Sequence, residues 1–232
     1  MATDAAPLLL LTRPQADSER FAAMLPEWPA VISPILRIEP VAHDADLRAA
    51  EGLVFTSSHA VGFAGPGRGR LALCVGGRTG AIARQAGFDV REGNGFAESL
   101  LPLIKASPVP LIHPHGRHLA KVLPVPGVVV YDQIALPLSD AARALLAGDA
   151  PLVLPLFSPR SARLLAAEAR QARAPIWTVA ISAAALAAWD ADSAGHAVAA
   201  RPDAKAMAAA IRLLPVAEHN ARRRVEQRNA PD

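Results

Sequence analysis

Short apolar runs alternate with Ala-rich stretches from one end of the chain to the other. The runs fall at 8–11 (LLLL), 31–36 (VISPIL), 53–56 (LVFT), 71–75 (LALCV) and 88–92 (FDVRE). They continue at 110–113 (PLIH), 128–134 (VVVYDQI), 152–157 (LVLPLF), 176–181 (IWTVAI) and 196–200 (HAVAA). The intervals at 15–25, 58–64, 78–86, 96–105, 117–123, 139–147, 160–172, 183–189 and 203–213 have helical composition. Strands alternating with helices in this way predict parallel sheets with crossover helices. Several runs are apolar at successive positions, as strands covered on both faces require. The predicted class is α/β.

A length of 232 residues accommodates two small domains or one large one. With 52% hydrophobic and 19% charged residues a disordered chain is excluded. Only 4% is aromatic, so the core must be assembled from small aliphatic side chains. The 21 prolines favour many short elements over long helices. Cys74 is the single cysteine, which excludes a disulfide scaffold and a zinc site of several thiolates. No apolar run approaches the roughly 18–20 residues that span a bilayer. The segment Met1 to Pro7 has Asp4 and no Lys or Arg, and Leu8 to Leu11 is too short for a signal-peptide core. A soluble, cytoplasmic protein is therefore expected. The net charge is +3, and the tail contributes Arg222, Arg223, Arg224 and Arg228 against Glu226 and Asp232. Such a tail reads as a solvated terminus rather than a nucleic-acid-binding arm.

The chain also resembles itself. Leu53 to Ala60 aligns with Leu154 to Ser161 at an offset of 101, bringing Ser57 over Ser158. Cys74-Val75-Gly76 aligns with Ala180-Ile181-Ser182 at an offset of 106, and Val90 with Val198 at 108. Leu10 to Arg13 lies over Leu111 to Pro114. Two βα-repetitive units of about a hundred residues follow from this self-similarity. A cleft between two such lobes is the expected place for a ligand.

Most of the polar information sits at strand-to-helix junctions: Thr12-Arg13-Pro14, Thr56-Ser57-Ser58 and Ser158-Pro159-Arg160-Ser161. At the carboxyl ends of parallel strands such turns meet ligands, and the helix that follows offers free N–H groups to an anion. Helix capping by Ser and Thr, with Pro in the first turn, explains any one of them equally well. Val75-Gly76-Gly77-Arg78-Thr79-Gly80 also follows a strand. Its glycine spacing is not a dinucleotide fingerprint, and no GK[ST] P-loop is present. A tight turn accounts for the glycines, leaving Arg78 and Thr79 as candidates to face a ligand. His113-Pro114-His115-Gly116-Arg117-His118 places two histidines one residue apart. Without a nearby carboxylate or thiolate, and with Arg117 adjacent, it does not read as a metal site. Tyr131, the one tyrosine, is either half-buried strand packing or a phenolic proton donor.

In this order the pieces resemble uroporphyrinogen-III synthase. The resemblance rests on Leu11-Thr12-Arg13-Pro14, then Phe55-Thr56-Ser57-Ser58-His59-Ala60-Val61, then Val75-Gly76-Gly77-Arg78-Thr79 leading to Gly87-Phe88. Val130-Tyr131 and Phe157-Ser158-Pro159 complete it, over about residues 8–213. Two departures stand out. The second Gly-x-x-Thr turn reads Ser182-Ala183-Ala184-Ala185, leaving only Ser182 or the backbone for any site there, and the His-rich turn after 110–113 is unusual.

The resemblance implies cyclodehydration of the linear tetrapyrrole hydroxymethylbilane to uroporphyrinogen III with inversion of the last ring, and no cofactor or metal. Loss of hydroxide would give an azafulvene, followed by a spiro intermediate, fragmentation and closure. Orientation of the chain is then the main task, because inverted closure must outrun the simple one. A substrate with eight carboxylates suits Arg side chains and helix N-termini. The implied substrate-binding residues are Thr12, Arg13, Pro14, Thr56, Ser57, Ser58, Gly76, Arg78, Thr79, His115, Gly116, Ser158, Pro159, Arg160, Ser161 and Ser182, with Tyr131 as general acid. The expected partners are hydroxymethylbilane and uroporphyrinogen III, with no nucleic acid or membrane and a transient contact to the preceding enzyme of the pathway. The protein is expected to be a monomer.

The repeat alone would divide the chain near 106. The resemblance implies instead two flavodoxin-like parallel-sheet lobes joined by a two-stranded linker. Domain 1 is then 1–35 with 138–232, domain 2 is 40–128, and 36–39 and 129–137 are the linkers. Two other classes explain the same turns: a non-catalytic two-lobed binding protein for a small polyanion, and a regulator acting through the basic tail.

Overall fold

The computed structural model describes residues 7–119 and 121–215. In chain order it has β1 (Leu8–Leu11), α1 (Gln15–Ala22), β2 (Ala30–Ile32), β3 (Leu36–Pro40) and β4 (Gly52–Phe55). A 3-10 helix at Ser58–Ala64 leads to β5 (Leu71–Cys74), α2 (Gly77–Gln85) and β6 (Asp89–Glu92). A second 3-10 turn, Ala97–Leu100, runs into α3 (Leu101–Lys105), followed by β7 (Leu111–Gly116) and β8 (Gly127–Ala135). The remainder is α4 (Asp140–Leu146), β9 (Leu152–Leu156), α5 (Pro159–Ala169), β10 (Ile176–Ala180), α6 (Ala183–Ala187), β11 (Gly195–Val198) and α7 (Ala204–Arg212). The basic tail and the first six residues lie outside the described residues.

The chain forms two compact units, one from residues up to Leu36 with those from Ala135 onward, the other Arg37–Ile134. It crosses between them twice, within β3 and within β8. The first unit has one five-stranded sheet of order β11-β10-β9-β1-β2. Every pair in it is parallel. The sheet is covered on both faces, as the continuous apolar runs require. Leu10, Leu152, Leu154, Leu156 and Ile176 pack against Ala142 and Leu146 of α4 and Ala162 and Leu165 of α5. The alternate residues Leu9, Leu11, Val153, Trp177 and Val179 pack against Phe21 of α1 and Met207 and Ile211 of α7. The two-residue strand period sorts neighbouring side chains into these two layers.

The second unit has a sheet of order β3-β8-β7-β4-β5-β6. The pairs from β8 to β6 are parallel. β3 lies at the edge beside β8: Val41 N donates to Val130 O, and Leu136 N to Ile35 O, both at 3.0 Å, an antiparallel sense. Leu53, Phe55, Ala72 and Cys74 meet Ala60, Val61 and Ala83 on one face. Val54, Leu71, Leu73 and Leu111 meet Leu100 and Leu123 on the other.

The sequence repeat has a structural counterpart, in permuted order. β4-β5-β6 and β9-β10-β11 are three successive neighbours, and β7-β8 and β1-β2 continue each sheet on the same side. The registers agree: Gly52 pairs Leu71 and Val153 pairs Trp177. Two of the sequence alignments shift. Val90 pairs Ala72 and His196 pairs Thr178, so the equivalent of Val90 is His196 rather than Val198. Leu9 pairs Val153 and Leu111 pairs Gly52, so Leu9 rather than Leu10 corresponds to Leu111.

Three element predictions need correction. The run 31–36 is not one strand: Pro34, which lacks an N–H, separates β2 from β3. The stretch 58–64 is 3-10 rather than α-helix. The predicted helix at 117–123 is absent among the described residues, Ala120 lying outside them. Gly116 ends β7 immediately before it, Pro124 and Pro126 close it off, and Arg117 and His118 turn instead to Asp132 on β8.

Candidate active site

In a parallel sheet every strand ends at the same edge, so the hydroxyl-bearing turns of each unit gather there without further design. In the first unit the turn after β1 starts α1, with the Pro14 carbonyl accepting from Asp17 N and Ser18 N at 2.8 and 3.0 Å. Thr12 is buried. Arg13 is held twice: Nη2 lies 3.2 Å from Asp17 Oδ2, and the guanidinium sits 4.1 Å over the Phe157 ring. Phe157 in turn meets Phe21 edge-on at 4.9 Å. A fixed cation thus stands at the end of β1, supported by Phe157, which the sequence patterns marked only as part of a serine turn, and by Asp17, which they did not single out. An aromatic residue just before a serine turn was the available signal.

The capping explanation is realised at all three serines. Ser158 Oγ accepts from Ser161 N at 3.1 Å and lies 2.8 Å from Ser161 Oγ, with Pro159 opening α5. Ser182 Oγ accepts from Ala185 N at 3.2 Å, and Ser57 Oγ from His59 N at 3.3 Å. Ser182 therefore caps α6. Arg160 and Ser161 lie in the first turn of α5, half-buried.

In the second unit Gly76 precedes α2, and a Cβ there would come 3.3 Å from Gly95 Cα, so the two turns approach backbone to backbone. Arg78 is exposed in the first turn of α2, whereas Thr79 is 5% exposed and so turned inward. Ser58 is half-buried at the start of the 3-10 helix. Thr56 does not cap. Its Oγ1 lies 2.9 Å from Nε2 of His113, a buried residue of β7. Burial, and the neighbouring His115, lower the His113 pKa to about 4, so this imidazole is neutral near pH 7. His115 is buried too, its ring 4.8 Å from that of His113 and its Nδ1 2.8 Å from the Gly116 carbonyl oxygen. Among the described residues no group of three or more His, Cys, Asp or Glu is placed to hold a metal ion.

A register shift between His115 and Gly116 brings Gly116 opposite Tyr131. The phenol closely approaches that glycine: a Cβ at Gly116 would stand 2.5 Å from Cε2 and 2.9 Å from the hydroxyl. Phe63 stacks beside the ring at 6.4 Å and His59 meets it edge-on at 6.0 Å. Tyr131 is only 4% exposed. Burial raises its pKa against the opposing hydrogen bonds to the Ser57 side chain and the Gly116 backbone. The phenol is therefore protonated at neutral pH and able to donate, with Ser57 as the side chain next to its hydroxyl.

The structure thus gathers Thr56, Ser57, His113, His115, Gly116 and Tyr131 in one unit, and Arg13, Phe157 and Ser158 at the corresponding edge of the other. Hydroxyls and cations thus stand at the strand ends of a parallel α/β protein, with a protonated phenol within β8. The family model described as uroporphyrinogen-III synthase HemD matches residues 27–209, and the chain belongs to this family. Its members are lyases that cyclise hydroxymethylbilane to uroporphyrinogen III.

Among solved structures, the crystal structure of uroporphyrinogen-III synthetase from Helicobacter pylori 26695 is similar with a TM-score of 0.59. Its identity is 14%, over 87% of this chain and 96% of that one. A mutant uroporphyrinogen III synthase from the extremely thermophilic bacterium Thermus thermophilus is similar with a TM-score of 0.53 and 17% identity, over 93% of this chain and 100% of that one. At such identities the likeness is one of fold. Among curated proteins there is no match.

Proposed function

We propose that this chain performs the family's cyclisation with Tyr131 as the source of the proton that accompanies loss of hydroxide. The observation that carries this reading is the Tyr131 phenol packed against Gly116 in β7, with burial raising its pKa so that it keeps its proton at neutral pH. Hydroxide is a poor leaving group, and protonation as it departs lowers the barrier. The phenol O–H donates to the departing oxygen, which leaves as water, and the hydrogen bonds of the Ser57 side chain and the Gly116 backbone favour the phenolate left behind.

Binding is assigned to both units. Arg13, Arg78 and Arg160 meet substrate carboxylates, together with the N-termini of α2 and α5. Thr12, Pro14, Thr56, Ser58, Gly76, Thr79, Gly116, Pro159, Ser161 and Ser182 shape the turns that hold the bilane. Ser158 contributes through the α5 terminus that it caps, and His115 through the Gly116 carbonyl that it fixes. Holding the bilane with its last ring reversed supplies the selectivity, since orientation alone can contribute several kcal/mol. The reaction is written without a cofactor.

In the same reading the two units are flavodoxin-like lobes joined through a two-stranded linker at 36–39 and 129–137. The β2-β1-β9-β10-β11 order supports this for the first, whereas the second follows β6-β5-β4-β7-β8, the permuted version. The protein acts as a cytoplasmic monomer that receives its substrate in transient contact with the preceding enzyme. No helix among the described residues is long and apolar enough to cross a membrane.

The acid role is tested with Tyr131→Phe. A fall in kcat of about tenfold or more, with KM nearly unchanged, is expected. Nearly full turnover in a folded Tyr131→Phe protein would remove Tyr131 from the mechanism.

A further inference from the structure

The two units provide an internal control for each other, because their strand ends correspond residue by residue. By the registers of β1 with β9 and of β7 with β4, Leu11 and His113 occupy equivalent places, as do Phe157 and Thr56. In the first unit this pair is apolar and belongs to one packed layer. In the second it is polar, with Thr56 Oγ1 and His113 Nε2 at 2.9 Å. An aliphatic and an aromatic side chain satisfy the fold at this place, so the fold alone does not call for a hydroxyl and an imidazole. Burying an imidazole at 2% exposure carries a desolvation cost that an apolar residue would not.

We infer that His113 is a positioning residue, which holds the Thr56 hydroxyl in one direction at the end of β4 for a carboxylate of the tetrapyrrole. The inference rests on the reading that Thr56 contacts substrate. With its proton on Nε2, His113 donates to Oγ1, and the threonine O–H is left to donate outward to an anionic acceptor. The opposite tautomer would consume that O–H and turn lone pairs toward a carboxylate. His113 itself touches no substrate. It acts through Thr56, and fixing the rotamer beforehand removes an ordering cost from binding.

His113→Leu reproduces the residue that the first unit carries at this place, and His113→Gln offers an amide N–H in place of Nε2–H. Each is purified beside wild type, Thr56→Val and the double variant, and the unfolding midpoint, KM and kcat with hydroxymethylbilane are measured. His113→Leu is expected to raise KM by about tenfold, the worth of one hydrogen bond, while kcat stays within about twofold. His113→Gln should recover most of the affinity. Thr56→Val should match His113→Leu, and the double variant should be no worse than either single one. A folded His113→Leu protein with wild-type KM, or penalties that simply add in the double variant, overturns the inference. Thr56→Val leaves β7 untouched, so an unchanged KM there overturns it even if His113→Leu fails to fold. A wild type that yields no excess of the type III isomer defeats the enzymatic reading, and this inference with it. An active wild type with an indifferent His113 defeats this inference alone.

Discussion

At the scale of single residues, the proposed acid role depends on the packing of Gly116 against Tyr131. Any side chain at 116 would enter the space of the phenol ring, within 2.5–2.9 Å of its atoms. Gly116→Ala must displace Tyr131 or bend β7. A stability loss of about 1–3 kcal/mol is expected by thermal unfolding, with a fall in kcat from the displaced hydroxyl. A folded Gly116→Ala enzyme with unchanged kcat would contradict the close packing of the two. His113 gives a prediction in pH. Its folded pKa of about 4 lies below the usual 6.5, so between these values the unfolded chain binds the proton and the folded one does not. Stability from this residue is complete above pH 6.5 and is lost as pH falls toward 4, by about 3 kcal/mol in total. Unfolding curves over that window should show this slope, and His113→Leu should flatten it. Cys74 is the opposite case: burial, with the Glu92 charge adding to it, raises its pKa to about 12. Alkylating reagents at neutral pH should leave it unmodified in the native protein, as mass spectrometry would record.

At the scale of elements the serine turns have a structural role beside any part in binding. Ser158→Ala removes the side-chain acceptor of Ser161 N and should cost about 1 kcal/mol of stability. If the melting temperature is unchanged, the cap is not worth what its geometry suggests. The strand-and-helix alternation was legible because β-branched and leucine runs cannot be mistaken for the Ala-rich intervals between them. What misled was local. Pro34 splits an apolar run that composition reads as continuous, and the 117–123 segment has helical residues but no room for a helix before Pro124. Asp132 draws Arg117 to 2.8 Å, a contact between distant positions that no local pattern records. The same limit applies at the site: the turns announce themselves through Thr, Ser and Gly, whereas the Thr56–His113 contact joins residues 57 apart. Phe157 under Arg13 is equally invisible without the sheet that brings β9 beside β1.

For the molecule as a whole, the repeat and the permuted strand orders describe one event in two languages. Each unit contains the same five-stranded arrangement, but the first is interrupted after β2, where the second is inserted through β3 and β8. Alignments of the repeat slip by one and two residues because parallel strands of small aliphatics offer few landmarks, and only the pairing fixes the register. The units differ at corresponding places: one has an arginine stacked on Phe157, the other a histidine hydrogen-bonded to Thr56. The most direct measurement supplies purified protein with freshly prepared hydroxymethylbilane and determines the isomer composition of the cyclic product. The type III isomer in large excess is the predicted result; type I in the proportion formed without protein would contradict it.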